Sequence, residues 1–512
     1  MKKIDFAIII IILILIQGCT NTFNNGIKIV GEVTNSNQEY VYLAHQPLYR
    51  GNLNFDGFKS IGDRIDDKGN FTLISDKVID EADYWIQVKD RAFHLILFNG
   101  DNIKIKFDLK DINNSLFAQG NGAGKINILR LPQFDSNLSY DTTYTMDTYK
   151  LCVDSVIESQ LLFLNVIFKK DLKNEIVQNA KNKQEIISII EDSPLSEKEY
   201  EFLKKKISIQ DIYYLEGFPS YLSQLRTNDS SKVEFSNSYF TCFNPAAYKD
   251  FKNISYWQFE DCINNILKME YLKSIRHENQ QLTYGNFGID DYSKYQNWRF
   301  NYAKDNLNPE VFDAYCASEL TDGLSMGDLN KTMYEKFIQN CSSKKYINRI
   351  NSFVDLLNNG LNDTVYNLNT LNSQKLDSLL KSKNGKNVYV IIWSSQFAGA
   401  SIISELPSII DFEKENLGQI EIFNLCIDKE KYKNLWAARI IDNSWKGNHN
   451  FLPAENNDSI INLFSAQNIS GFCDGGATYS FIDKNGNISN NIEAPILMTK
   501  EKINQYRENT VR

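Results

Sequence analysis

The chain has 512 residues, of which 42% are hydrophobic and 23% charged, and a formal net charge of −9. This length is typical of two or three domains, and the hydrophobic content is enough for a sizeable core. The acidic balance and the lack of a basic cluster argue against nucleic acid or another polyanion as a partner.

The N-terminus has the pattern of a lipoprotein signal peptide, which we assign to residues 1–18. A Met-Lys-Lys start precedes an unbroken apolar run over residues 6–16. The run is shorter than the roughly 20 residues that cross a bilayer, and it has the length of a signal-peptide core. It ends at Ile-Gln-Gly-Cys19, which resembles the lipobox cut by the lipoprotein signal peptidase. Cleavage there would leave Cys19 as the lipid-linked first residue of a tether over residues 19–25.

An ordinary secretory signal with a chance cysteine and an uncleaved anchor are the two alternatives. Thr20 follows Cys19, where an Asp would argue for retention in the inner membrane, so the outer membrane is favoured. We expect no later stretch to be long and apolar enough to span a membrane, so the rest of the chain should be soluble. The predicted location is the cell envelope, facing the periplasm or the exterior.

The cysteine pattern argues against a disulfide framework and against a zinc site. Of the eight cysteines, seven lie beyond Cys19, and none forms a C-x-x-C pair. They are Cys152, Cys242, Cys262, Cys316, Cys341, Cys426 and Cys473. In disulfide-bridged folds and zinc sites the cysteines occur in pairs or at regular spacings. We therefore expect buried thiols, or one bridge whose partners the sequence does not assign.

Residues 26–120 are predicted to form a small antiparallel β domain, similar to a β-sandwich. Short runs with alternating or continuous apolar residues are separated by polar turns. The predicted strands lie at residues 27–33, 40–43, 71–74, 84–88, 93–98 and 103–109. Many short strands with such turns are typical of two packed sheets.

Residues 121–365 are predicted to form a helical connector domain that holds the two outer domains apart. Apolar residues recur at helical spacing, for example at Ile186, Ile187 and Ile190. Ser196 and Glu199 fit a capping box at the start of a further helix.

Residues 366–512 alternate between strands and helices. Residues 388–393 and 420–427 have the length and apolar content of buried strands, and a helical pattern follows each of them. Residues 479–482 and the segment from Asn487 onward fit a hairpin. This β-α-β then β-β-α order is that of a thioredoxin-type α/β domain, so the whole chain is predicted to be a multidomain α+β protein.

Three segments of this region resemble the envelope thiol-disulfide oxidoreductases of the TlpA/ResA-like branch. They are GKNVYVIIW at residues 385–393, Glu405-Leu406-Pro407, and FIDKNG at residues 481–486. The N-terminal region is similar to the sheet domain of unknown function that precedes such domains in many Bacteroidetes lipoproteins. The resemblance implies a thioredoxin fold and, in those enzymes, a reactive C-x-x-C at a helix N-terminus.

That dithiol is missing here. Counting forward from Trp393 places the two sulfur positions at Phe397 and Ala400, whereas counting back from Pro407 places them at Gly399 and Ile402. Neither alignment contains a cysteine, and the sequence has none between Cys341 and Cys426. The usual redox mechanism of the family is therefore not expected.

The family's cis-proline is also replaced. The resemblance places it at Ala477, and because a non-proline cis bond costs about 3 kcal/mol, we expect a trans bond and a reshaped loop. Cys473, just before that loop, is the one candidate for a reactive thiol, but it lacks a helix N-terminus that would acidify it. Cys426 lies in a predicted central strand and is interpreted as structural.

Other motifs do not predict a cofactor or a metal. Gly120 to Lys125 looks like a phosphate loop, but Gln119 and Ile126 break the Walker A pattern, and we interpret it as a domain-boundary loop. The aspartates at residues 63, 66 and 67 lack calcium-loop spacing. The histidines at residues 45, 94, 277 and 449 are scattered, and no G-x-S-x-G occurs.

The leading hypothesis is a redox-inactive thioredoxin-like lipoprotein that binds or scaffolds an envelope partner, not an enzyme. The alternative is a divergent monothiol-disulfide oxidoreductase that uses Cys473. A third hypothesis makes the chain part of a surface uptake system, with the sandwich domain as its partner-binding face. Fold alone does not choose among them.

Overall fold

The computed structural model describes residues 26–45, 60–77, 81–88, 91–134, 146–210, 259–276, 292–396, 399–455, 477–495, 498 and 500–508. These residues form three sheets with helices between and around them. The signal peptide and Cys19 lie outside the described residues.

Two four-stranded sheets share one hydrophobic core in the N-terminal part. The strands are β1 (Ile27–Thr34), β2 (Tyr40–His45), β3 (Ile61–Arg64), β4 (Asn70–Ser75), β5 (Ala82–Val88), β6 (Arg91–Leu97), β7 (Asn102–Asp108) and β8 (Phe117–Asn121). One sheet has the order β4-β1-β7-β8 and the other β3-β2-β5-β6. In β4 and β7 every second residue is buried, as expected for a strand with one face in a core.

The six predicted strands of this part are present, and β3 and β8 are additional. The expectation of antiparallel pairing is wrong at one place, because β1 and β7 run parallel. Between these two strands the chain passes through β2 and β3 of the second sheet, β4 of the first, and β5 and β6 of the second. A crossover of that length brings a strand back in the same direction, which a hairpin cannot do.

Helices dominate from Ile112 to Asn359. They are α1 (Ile112–Ser115), α2 (Ala123–Leu129), α3 (Met146–Phe168), α4 (Glu175–Gln178), α5 (Lys183–Asp192), α6 (Glu197–Ser208), α7 (Phe259–Arg276), α8 (Tyr292–Asn306), α9 (Pro309–Ser325), α10 (Lys331–Asn340) and α11 (Lys344–Asn359). Short 3₁₀ turns lie at Pro132–Phe134, Gly360–Asn362 and Glu430–Tyr432. The predicted capping box is confirmed, since the Ser196 hydroxyl accepts from the Glu199 N–H and the Glu199 carboxylate accepts from the Ser196 N–H.

Helix α3 corrects the expectation about spanning segments. By length and composition, Thr148–Phe168 could cross a membrane, with a mean hydropathy of 1.6. The core helix of a soluble protein passes the same test. Helix α3 buries Tyr149, Val153 and Phe163 in the core shared by the helices, while Leu151 and Leu162 are exposed.

A six-stranded sheet forms the C-terminal part, in the order β14-β13-β10-β11-β12-β9. Its strands are β9 (Asn367–Thr370), β10 (Asn387–Trp393), β11 (Ile420–Asp428), β12 (Asn448–Pro453), β13 (Thr478–Ile482) and β14 (Ile488–Asn490), and its helices are α12 (Ser373–Ser382), α13 (Gly399–Glu415), α14 (Lys433–Asp442) and α15 (Lys500–Glu508). The strands from β10 to β9 pair in parallel, and β13 is antiparallel to β10.

This part has the predicted thioredoxin-like order. Strands β10 and β11 are parallel and joined through α13, and the antiparallel hairpin β13–β14 is followed by α15. The sheet has two further strands that were not predicted from the sequence, β9 and β12, and helix α12 is also additional. Two apolar cores lie on the two faces of this sheet, as in a three-layer α/β domain.

The outer parts of the chain touch each other, so the expectation that the helices hold them apart is wrong. Arg64 of β3 forms a two-pronged ion pair with Glu415 at the end of α13, at 3.1 and 3.0 Å. The Tyr40 hydroxyl of β2 donates to the Asp411 carboxylate at 2.7 Å. The β-domain therefore packs directly on the second half of α13.

A buried cluster of charges joins the β-domain to the helices. The Lys125 ammonium of α2 is 0% exposed and lies 2.8 Å from Asp101 and 2.8 Å from Glu199. It donates its third hydrogen bond to the Gly122 carbonyl at 3.0 Å. Asp101 belongs to the β6–β7 turn and Glu199 to α6, so one cation connects three elements.

Replacing Lys125 with Met tests this connection. The substitution keeps the length of the side chain but leaves two buried carboxylates without their cation, which should cost about 3–5 kcal/mol. The measurement is the midpoint of urea unfolding followed by circular dichroism. Lys106→Met, which removes an exposed partner of Glu32, is the matched control and should leave the midpoint nearly unchanged. Equal midpoints for the two variants would contradict the assignment.

Candidate functional site

The candidate site lies where β10 and β11 end at the same edge of the sheet. Ligands of open α/β sheets bind outside the carboxyl ends of parallel strands. Here the chain continues from β10 into Ser394, Ser395 and Gln396, and β11 ends at Asp428. Residues 394–396 begin the stretch in which the sequence resemblance predicted a dithiol position.

Asp428 binds the three residues after β10. One of its oxygens accepts from the Ser394 and Ser395 hydroxyls, both at 2.9 Å, and from the Gln396 N–H at 3.2 Å. The other oxygen accepts from the Lys429 N–H at 2.9 Å. A carboxylate has about four lone-pair positions, so these four donors use most of its capacity. The carboxylate therefore holds the loop.

The two serine hydroxyls are unsuited to nucleophilic attack. Ser394 is 1% and Ser395 0% exposed. Each donates its proton to Asp428, and the ring hydroxyl that lies nearby, on Tyr432, accepts a hydrogen bond from the Gln396 side chain at 2.7 Å. An activated serine needs a base that is itself oriented by a third group, and this arrangement of the described residues does not provide one.

A thiol lies beside this cluster, on Cys426, which is 0% exposed. Burial, and then the charge of Asp428, raise the pKa of the Cys426 thiol well above its ordinary value, although Ser395 hydrogen-bonds to it. The thiolate is the reactive form, so a thiol in this setting is inert. The prediction that Cys426 is a structural residue of a central strand fits this position.

Buried Arg439 of α14 supplies positive charge near the same cluster. Burial lowers its pKa to about 10, while the charges of Asp442 and Asp428 oppose that shift. Arg439 remains charged at neutral pH and balances the buried carboxylate of Asp428. The site is thus a closed, charge-compensated cluster.

A chain of hydrogen bonds runs across the three strands that lead to the cluster. The Trp393 indole donates to the Asn424 side-chain oxygen at 2.7 Å, and the Asn424 amide lies 2.9 Å from Nδ1 of His449. Nε2 of His449 lies 2.8 Å from the Trp445 carbonyl. Neutral His449 with its proton on Nε2 satisfies both contacts, because it accepts from Asn424 and donates to Trp445. This chain joins β10, β11 and β12.

The predicted site residues are brought together only in part. Phe397 and Cys473 lie outside the described residues. Ala400 is the second residue of α13, Ile402 in the same helix is fully buried, and Ala477 is half-buried directly before β13. The assignments of Phe397, Ala400, Ala477 and Cys473 stay predictions.

The E-x-P segment lies inside α13, with Pro407 within the helix. Glu405 accepts a hydrogen bond from the hydroxyl of buried Tyr479, the second residue of β13. Burial raises the pKa of Glu405, and the Tyr479 hydrogen bond opposes that shift. This contact fixes α13 against the strand that follows Ala477.

The phosphate-like segment is closed to ligands. The expectation of a loop is wrong, because residues 117–121 form β8 and Ala123 begins α2. All three ammonium hydrogens of Lys125 are used by Asp101, Glu199 and Gly122. Among the residues that the structure describes, no three His, Cys, Asp or Glu side chains are grouped as metal ligands would be.

Comparisons with known proteins give little further guidance. No protein-family model matches the chain. No curated protein matches it either. Among solved structures, the chain is similar to a candidate thiol-disulfide oxidoreductase from Bacteroides vulgatus, at 19% identity and a TM-score of 0.18, over 23% of this chain and 69% of that one. A TM-score this low does not establish a shared fold, so the C-terminal part is called thioredoxin-like only because of its order of strands and helices.

Asp428 is not among the residues predicted from the sequence. Its position as the last residue of an apolar strand was a usable signal, because polar residues at the carboxyl ends of parallel strands are brought together at one edge. The pairing with Ser394 and Ser395 depends on the register of β10 against β11, where Trp393 lies opposite Cys426.

The protonation of His449 gives a test by pH. Burial lowers the pKa of His449 to about 4, although the Trp445 carbonyl opposes that shift. In the unfolded chain the pKa is about 6.5, so between pH 6.5 and 4 the unfolded state binds the proton first and the folded state loses stability. The expected loss is about 3 kcal/mol, with full stability kept above pH 6.5.

The comparison that isolates this group is wild type against His449→Gln, with urea midpoints measured at pH 7, 5.5 and 4.5. His94 also has its pKa lowered to about 4 by burial, and it contributes equally in both proteins. The difference in urea midpoint between the wild type and His449→Gln should shrink as the pH falls. A constant gap between the two proteins at all three pH values would show that His449 is not held neutral.

Proposed function

We propose that the chain is a redox-inactive, thioredoxin-like envelope lipoprotein that acts as a binding or scaffold module. The observation that carries this proposal is the cluster directly after β10, in which Ser394, Ser395 and Gln396 are all held by Asp428, together with a following sequence, residues 397–402, that contains no cysteine. A redox site must expose a thiolate to its partner disulfide. Here the described residues after β10 present buried hydroxyls, and Cys426 beside them is buried and un-ionised.

Hydrogen bonds around the edge of the C-terminal sheet support a binding role over that of a degraded enzyme. The Trp393–Asn424–His449 chain, the Glu405–Tyr479 contact and the packing of α13 on the β-domain keep the edge rigid. Buried polar groups are costly unless all of them are paired. A module that presents a fixed surface to a partner uses such rigidity.

The decisive experiment measures thiol reactivity of the purified mature protein with Cys19 removed. We expect no catalysis of insulin reduction by dithiothreitol, in contrast to a thioredoxin with an intact C-x-x-C. With a coloured aromatic disulfide between pH 5 and 8, we expect no fast-reacting thiol until denaturant exposes the seven cysteines beyond Cys19.

Two matched variants identify any thiol that does react. Cys152→Ser removes a half-exposed cysteine on α3, and Cys473→Ser removes the candidate monothiol. A slow reaction that disappears in Cys152→Ser agrees with the proposal. A fast reaction below neutral pH that disappears in Cys473→Ser would instead establish the monothiol oxidoreductase.

The membrane anchor is the second part of the proposal, and the signal-peptide pattern ending at Cys19 supports it. A lipidated N-terminus followed by the short tether up to Asn25 would place the β-domain near the membrane surface. The partner is then a component of the same envelope.

Cys19→Ala tests the anchor. Loss of the sulfur that carries the diacylglycerol should abolish the incorporation of labelled palmitate that the wild type shows, and should prevent removal of residues 1–18. Cys152→Ser is the matched control and should incorporate palmitate like the wild type. A wild-type protein that takes up no palmitate and keeps residues 1–18 would favour an uncleaved apolar anchor.

A further inference from the structure

Two buried cysteines lie near each other in the helical part. Cys316 is in α9 and is 0% exposed, and Cys341 follows the last residue of α10 and is 9% exposed. Both belong to the same hydrophobic core. Neither belongs to the Asp428 cluster, which lies at the edge of the C-terminal sheet.

Asp313 brings the two cysteines to one place. It accepts from the Ser342 N–H at 3.0 Å, from the Ser342 hydroxyl at 2.6 Å and from the Ser343 N–H at 2.8 Å. The residue before Ser342 is Cys341. Asp313 and Cys316 are three residues apart in α9 and therefore lie on one face of the helix. The carboxylate thus holds the α10–α11 turn against the helix face that carries Cys316.

Burial sets the protonation of the two thiols. Burial raises the pKa of Cys316 well above its ordinary value. Burial raises the pKa of Cys341 to about 12. Burial keeps each thiol protonated and slows its attack on an oxidant, whereas the disulfide, once formed, carries no charge and suits a dry site.

We propose that Cys316 and Cys341 are a disulfide-forming pair that, when oxidised, links α9 to the α10–α11 turn. The oxidant is a small organic disulfide. The Cys341 thiol loses its proton and its sulfur attacks the oxidant, forming a mixed disulfide and releasing one small thiol. The Cys316 sulfur then loses its proton and displaces the second small thiol. The two protein thiols give one S–S bond, and the oxidant is reduced to two thiols.

The chemistry of this pair does not depend on the proposed location. In an oxidising envelope the bridge would form and persist, and it would close a segment of the chain that spans α9 and α10. Closing such a loop stabilises a protein chiefly by restricting its unfolded state.

The experiment treats the reduced, mature full-length protein with oxidised glutathione, blocks the remaining thiols with N-ethylmaleimide and maps peptides by mass spectrometry. The expected product is a cross-linked pair of peptides containing Cys316 and Cys341, lighter by two hydrogens than the separate peptides. The melting temperature should rise by roughly 5 °C or more on oxidation.

The controls separate this bridge from other thiol chemistry. Cys341→Ser and Cys316→Ser should lose the cross-link and the rise in melting temperature, whereas Cys262→Ser, which removes another buried thiol of the same core, should keep both. Peptide mapping of the wild type decides the question even if a serine variant does not fold. A stable glutathione adduct on Cys341, a bridge between other cysteines, or no oxidation of the pair would each overturn the proposal.

Discussion

The ammonium of Lys125 is the contact on which the arrangement of the N-terminal half depends. Taking an ammonium out of water costs several kcal/mol, and the cost is offset only when its hydrogens are all paired with close acceptors. Asp101, Glu199 and the Gly122 carbonyl meet that condition, and the Phe98 ring lies 4.6 Å from the same nitrogen. Because these groups come from a strand turn and two helices, the sheets and the helices have one orientation in which the charge is satisfied.

Asp428 has the same function at the edge of the C-terminal sheet. One carboxylate accepts from two hydroxyls and two backbone N–H groups, so the loop after β10 is held in place. Together with Arg439 it forms a closed cluster. Both halves of the protein therefore use a buried charge with several hydrogen-bond partners to fix the elements around it.

Local patterns predicted much of the fold. Alternating apolar residues identified strands such as β4, and the Ser196–Glu199 box marked the start of α6, because these signals depend on neighbours along the chain. The strand β9 has four residues with little burial, and β12 begins with polar residues, so neither has the apolar run that marks a buried strand. The parallel pairing of β1 with β7 depends on a crossover through a second sheet, which no local pattern encodes.

The sequence by itself determined the predicted signal peptide, the thioredoxin-like order of strands and helices, and the absence of a C-x-x-C, since each is a property of residue type and spacing. Tertiary structure alone decided that Lys125 is buried in a structural cluster, that Asp428 faces Ser394 and Ser395, and that Asp313 holds the α10–α11 turn against α9. The contacts of Lys125 with its two carboxylates, of Asp428 with the two serines and of Asp313 with Ser342 join residues 24 to 74 positions apart. Their formation depends on strand register and helix packing, and the free energy of those arrangements is a property of the whole folded chain.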